Sequence, residues 1–99
     1  DETKVLEGMP GEYILVARRS GDTWYLGGMS VGKRSFAINA GFLDDAVYQA
    51  VTWTDAQDAD KHPRKLIRKE VSVTRDKELK FDISPNGGFV AVLKRLKPE

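Results

Sequence analysis

Glu78-Leu79-Lys80-Phe81-Asp82-Ile83-Ser84-Pro85-Asn86-Gly87-Gly88-Phe89-Val90-Ala91-Val92-Leu93 contains two kinds of apolar pattern separated by a turn. In the first half Leu79, Phe81 and Ile83 alternate with Lys80, Asp82 and Ser84, the period-2 signature of a strand with one buried and one wet face. Pro85-Asn86-Gly87-Gly88 then supplies proline early and glycine late, which fits a tight hairpin. The second half, Phe89 to Leu93, is apolar at every position and therefore on both faces. A strand of that kind needs cover on each side.

Working outward, the same reading divides the whole chain into eight strand-like runs: 3–6, 13–18, 23–29, 34–39, 48–54, 66–75, 79–84 and 89–96. Each is bounded by Gly, Pro, Asn or Asp. No run of helical length has a 3.6-residue period. Phe36 and Ile38 alternate with Ala37 and Asn39. Ile67, Val71 and Val73 oppose Arg68, Glu70, Ser72 and Thr74, with Lys69 as the exception. The expected fold is all-β, a two-layer antiparallel β-sandwich of about eight strands with Greek-key-like connections.

Tyr13-Ile14-Leu15-Val16-Ala17 shares the two-faced character of Phe89–Leu93. Each sheet of a sandwich buries one face against the other, so the second apolar face of these two strands calls for another cover. Parity assigns Ile14, Val16, Val90 and Val92 to that outer face, a domain interface rimmed by Glu12, Arg18 and Lys94. The aliphatic residues also suit a wet strand on propensity alone.

The 99 residues are about one small domain, well short of the roughly 250 of a barrel enzyme. The formal charge is +1, with 31% charged and 40% hydrophobic residues, so the composition is ordinary globular and makes no electrostatic case for nucleic acid. The total conceals a division: residues 1–60 carry five basic and ten acidic side chains, 61–80 eight and three, and 81–99 three and two. The basic segment reads as a solvated face that protects an edge strand, and it lacks the interleaved aromatics of single-strand nucleic-acid binders. No apolar run approaches the 18–20 residues of a membrane span. There is no cysteine and one histidine, His62, which excludes disulfides, thiolate metal sites and histidine clusters. The chain opens on Asp1 with no leader and closes on Leu96-Lys97-Pro98-Glu99, and it reads as the tail end of a larger protein.

Chemistry-bearing constellations are few. Asp55-Ala56-Gln57-Asp58-Ala59-Asp60 gathers three carboxylates but lacks the glycine and glutamate positions of a calcium loop. Asp44-Asp45 are sequence neighbours and do not form the spaced acid pair of a glycosidase. Gly27-Gly28 and Gly87-Gly88 lack the lysine and helix start of a phosphate loop. No catalytic, cofactor-binding or metal-binding residue is assigned. Trp24, Tyr25 and Trp53 are candidates for a platform on which a sugar ring stacks, although core packing is the commoner use of such rings.

Taken in order, Asp1-Glu2-Thr3-Lys4-Val5-Leu6-Glu7-Gly8, Gly11-Glu12-Tyr13, Ala17-Arg18-Arg19, Gly21 and Trp24-Tyr25-Leu26-Gly27 form a pattern. Phe42-Leu43, Tyr48-Gln49-Ala50, the acidic stretch 55–60 and Pro63 continue it. This pattern resembles the C-terminal domain of glycoside hydrolase family 97, with Thr52 and Trp53 where larger apolar and tyrosine-like residues are expected. The resemblance implies that residues 1–99 are a single non-catalytic accessory domain of a bacterial exo-acting α-glucosidase or α-galactosidase. It implies packing on a catalytic (β/α)8 barrel, homo-oligomer contacts and an oligosaccharide substrate handled by the parent. It also implies catalytic carboxylates and a calcium ion elsewhere in the parent, and export to the periplasm or cell surface of a Gram-negative bacterium. The alternative reading is a carbohydrate-binding module using Trp24, Tyr25 or Trp53.

Overall fold

The computed structural model describes residues 2–55 and 66–96. All eight runs are strands: β1 (Glu2–Met9), β2 (Tyr13–Ser20), β3 (Thr23–Ser30), β4 (Arg34–Asn39), β5 (Tyr48–Asp55), β6 (Leu66–Val73), β7 (Glu78–Ile83) and β8 (Gly87–Arg95). A short 3₁₀ turn, Ala40–Phe42, precedes β5 and is capped by Asn39, whose side chain accepts from the Gly41 N–H at 2.8 Å.

Strand ends differ from the sequence reading by up to three residues: β1 is extended most, β2 ends two residues beyond and β8 begins two residues before the expected run, and β6 stops two residues short. β1 runs on to Met9 because Leu6 forms a bulge: Val5 pairs with Val16 and Glu7 with Leu15. The extra residue lets Leu6 pack on the core while Val5 stays exposed on the other face. β6 stops at Val73, because the Lys77 N–H donates to the Thr74 carbonyl and closes a turn there. In that turn the Thr74 hydroxyl donates to Asp76 and holds its carboxyl below the usual carboxylate range.

The strands form two antiparallel layers of very unequal width. The large sheet has the order β1-β2-β3-β8-β5-β6, and the small one is the pair β4-β7. Within the last four strands, β8 returns to lie beside β5 while β7 crosses to the other layer, a Greek-key-like arrangement split between layers.

The expected β7–β8 hairpin is corrected by this topology. The local turn forms as read: the Gly87 N–H donates to the Ser84 carbonyl at 2.8 Å, with Pro85 next and Asn86 at φ 59°. That is the pattern of a type II turn. Yet β7 pairs with β4, and β8 pairs with β3 and β5, so the turn links the layers instead of joining ladder partners. β8 is apolar on both faces and takes a central position with neighbours on both sides, whereas one-faced β7 suffices as half of the covering pair.

The core lies between the layers, and large residues on the wide sheet sit beside small ones. Ala17 faces Leu26, which faces Ala91, and Leu15 faces Gly28, which faces Phe89. Gly28 is required by packing, since a Cβ there would stand 2.3 Å from Phe89 Cε1. The Phe89 ring stacks on Phe81 of the small sheet with centroids 3.9 Å apart and planes 7° apart, and it also meets Phe36 at 5.8 Å. Phe36 meets the edge of Tyr13, and the Arg34 guanidinium stands 3.5 Å from the centre of the Tyr13 ring.

Gly28→Ala is expected to lower stability by about 1–3 kcal/mol through overpacking against Phe89. Leu93→Ala, at a fully buried position, is expected to cost about 2–5 kcal/mol. Urea denaturation followed by tryptophan fluorescence measures both.

Candidate functional site

The outer face of the large sheet is built by register. One row runs directly across it as Val5, Val16, Gly27, Val90, Trp53 and Arg68. A second runs Thr3, Arg18, Tyr25, Val92, Val51 and Glu70, and a third runs Gly8, Ile14, Met29 and Gly88. Apolar side chains therefore form a continuous field over five adjacent strands. Val5 is 67% exposed, Met29 64%, Val90 51% and Ile14 44%, and Val16, Val51, Trp53 and Val92 are half-buried. Scattered apolar residues on a surface are ordinary, whereas here the apolar field is contiguous and rimmed by Arg18, Lys94, Arg68 and Glu70.

At the β1–β2 end the field passes into a shallow apolar groove lined by Val5, Met9, Ile14, Met29 and Val31. The outer face of the small sheet is the opposite in character. It presents Ser35, Ala37, Lys80 and Asp82, with the Ser35 hydroxyl donating to Asp82 at 2.6 Å. One side of the sandwich is made for water and the other is not.

The four residues read from parity, Ile14, Val16, Val90 and Val92, are on this one face, in neighbouring rows. Val5, Tyr25, Met29, Val51 and Trp53 belong to the same field, and strand parity alone does not gather them. The signal for them is present in part: once β3 and β5 flank β8, parity places Tyr25, Val51 and Trp53 beside Val90 and Val92. The strand order that makes them neighbours is a tertiary property.

One ring of the expected aromatic platform is corrected. Trp24 points inward, is 5% exposed and meets the edge of Phe42 with centroids 4.8 Å apart, because adjacent residues on β3 face opposite ways. Tyr25 and Trp53 do share the outer face, but β8 runs between their strands and Val92 and Val90 are their respective neighbours. The three rings form no single stacking surface.

The remaining chemistry-bearing residues serve the fold. Asp44 Oδ1 accepts from the Tyr48 hydroxyl at 3.2 Å and from the Ala46 N–H at 3.1 Å, while Oδ2 is 3.5 Å from Arg95 Nε. Asp44 thus ties the loop before β5 to β5 and the end of β8. Asp45 is a separate, exposed partner of Arg75 at 3.3 Å. Among the described residues no three acidic or histidine side chains gather as metal ligands. The acidic stretch 56–60 and His62 lie outside the described residues. β6, carrying Arg68 and Lys69, is an edge strand, the place where charge discourages strand addition. No helix among the described residues is long and apolar enough to cross a membrane.

An all-β sandwich with one wet face and one continuous apolar face defines the class, a module built to lie against something else. The chain belongs to the glycosyl-hydrolase 97 C-terminal, oligomerisation family, whose model matches residues 1–94. It is 37% identical over 95 residues to a retaining alpha-galactosidase of Bacteroides thetaiotaomicron, covering 95% of this chain and 14% of that protein. It is 29% identical over 98 residues to a probable retaining alpha-galactosidase of Streptomyces bingchenggensis, again covering 14% of it. A glycoside hydrolase family 97 enzyme of Pseudoalteromonas sp. strain K8, solved in complex with acarbose, superimposes with a TM-score of 0.89 at 26% identity. That match covers 97% of this chain and 16% of the enzyme. The chain thus spans about one-seventh of the curated relatives it matches.

Burial and the Asp44 carboxylate both hold the Tyr48 phenol above its ordinary value of 10.0. The folded state therefore keeps this proton more tightly than the unfolded chain. The resulting stability is complete below about pH 10 and is lost as pH rises beyond it. Melting temperature measured from pH 8 upward is expected to fall above pH 10, and Tyr48→Phe is expected to flatten that part of the profile.

Proposed function

We propose that residues 1–99 are the non-catalytic C-terminal accessory domain of an exo-acting α-glycosidase, with the outer face of the large sheet seated on the parent's catalytic (β/α)8 barrel. The observation that carries this reading is the contrast between the apolar outer face across five strands and the polar outer face of β4–β7. An apolar surface of that extent on an attached module is stabilised by covering it, and inter-domain contacts of about 600–1,500 Å² are usual. The match to a C-terminal family and the small share of each relative covered support a large preceding catalytic part. That part joins through β1, an edge strand of the same sheet whose Val5 lies on the apolar face.

The named relatives favour a retaining enzyme acting on α-galactosides of oligosaccharides. The family description favours a contribution to homo-oligomer assembly as well. With this reading go a calcium ion held by the parent outside this chain, and residence in the periplasm or at the cell surface of a Gram-negative bacterium.

Ile14→Lys and Val90→Lys, made separately in the full-length polypeptide, test the docking. Each is expected to lower the melting midpoint by at least about 2 °C, since lost burial of one aliphatic side chain is worth about 1.5–3 kcal/mol. The same changes are expected to raise the solubility of the 99-residue chain expressed alone. Unchanged values in both preparations would defeat the covered-face reading. Chromogenic α-galactoside and α-glucoside assays of the full-length protein decide the substrate class, with faster turnover of the α-galactoside expected.

A further inference from the structure

Four glycines, Gly27, Gly28, Gly87 and Gly88, lie where β3 and β8 run side by side. Gly87 closes the turn before β8, and packing explains two of the others. Gly28 admits the Phe89 ring, and a Cβ on Gly88 would stand 2.5 Å from the Gly28 carbonyl oxygen. Gly27 is different. A Cβ there would meet nothing closer than the Phe89 carbonyl oxygen at 4.0 Å, and its φ is not in the left-handed region. Neither the fold nor the backbone conformation requires glycine at this position. Glycine inside a strand weakens it, and where no bulge or bend explains it, it often marks close approach by another group.

Gly27 sits in the middle of the apolar outer face. Val16 and Val90 are its direct partners on either side, and Tyr25 and Met29 are two residues away along β3. Neighbouring strands lie about 4.8 Å apart and residues about 3.3 Å apart along a strand. Val16 and Val90 thus stand about 10 Å from each other across Gly27, and Tyr25 and Met29 about 13 Å. The missing side chain leaves a gap in the apolar face, bordered in register by two valines, a tyrosine and a methionine. Methionine is the most adaptable of these neighbours and can close on an inserted group.

We infer that Gly27 is the socket of the domain interface, receiving one large aliphatic or aromatic side chain from the catalytic part of the same polypeptide. The inference rests on the docking proposed above and adds its anchor point. The occupant belongs to the preceding part of the chain because most of each relative's length lies outside the matched segment, and because β1 delivers that part to this sheet. An apolar knob suits this position because its nearest neighbours on the face, Val16, Val90, Tyr25 and Met29, carry no charge, with Arg18 one row away. A filled pocket at the centre of an interface is where binding energy concentrates.

The test uses the full-length polypeptide, with hydrogen peroxide as probe and mass spectrometry of Met29 as readout. Met29 lies beside the socket and is exposed when the face is bare. In the wild type its oxidation is expected to be at least about tenfold slower than in the denatured protein. Gly27→Leu fills the socket and is expected to abolish that protection with the β-sheet circular dichroism intact; Gly27→Ala is expected to weaken it less. Protection released by Val90→Lys but retained in Gly27→Leu would overturn the socket and leave the docking reading standing. Met29 unprotected in the wild type would overturn both. Loss of the sheet signal in Gly27→Leu would show that the space is not open and overturn the inference. Protection that appears only as protein concentration rises would assign the socket to a second copy, which overturns a knob supplied by the same polypeptide.

Discussion

The placement of Phe89 over Gly28 is the contact on which the rest of this structure depends. Gly28 has no Cβ, so the Phe89 ring can lie across β3 and still reach Phe81 on the opposite layer, 3.9 Å away. That stack joins the middle of the wide sheet to the narrow one. From Phe89 the aromatic contacts continue through Phe36 to Tyr13 and the Arg34 guanidinium, which ties in the start of β2. Two strands are a small cover for six, and they suffice because the rings are large and the wide sheet answers them with Ala17, Gly28, Ala50 and Ala91. Large against small keeps the interior dense with few strands.

The unequal layers have a consequence on the far side. A wide sheet with one narrow cover exposes a large outer surface, and here that surface is apolar over five strands. The narrow layer shows the reverse, with Ser35, Lys80 and Asp82 outward. The molecule is polarised like an amphipathic strand at the scale of a domain. Membership of a C-terminal glycosyl-hydrolase 97 family and the proposed seat on a catalytic domain are both consistent with a module polarised in this way. The charged edge at β6 and the bulge in β1 serve a separate end, since both discourage other strands from extending the sheet.

Turns illustrate how local chemistry and global outcome separate. Met9-Pro10-Gly11-Glu12 and Ser84-Pro85-Asn86-Gly87 close the same way, with proline second, a positive φ third and a first-to-fourth backbone hydrogen bond. The first joins two ladder partners and the second joins two layers. Nothing inside either turn distinguishes them. The difference lies in the strands they deliver: β1 and β2 pair with each other, whereas β8 finds both neighbours elsewhere.

All eight strands, the buried faces of β4, β6 and β7 and the two-faced character of β2 and β8 were legible in the sequence, because side-chain parity is a local property of an extended chain. Parity also placed Ile14, Val16, Val90 and Val92 on one surface. It could not say which strands stand beside which, so the widths of the layers, the crossing of β7 and the recruitment of Val5, Tyr25, Met29, Val51 and Trp53 to that surface were decided by the tertiary structure. Parity pointed Trp24 and Tyr25 opposite ways, but which ring was buried depended on where the second layer came to rest. Gly27 and Gly28 are indistinguishable as letters in a row. One became a packing necessity and the other an open socket only when Phe89 was brought across from about sixty positions away, since the space at a glycine is defined by its neighbours in three dimensions.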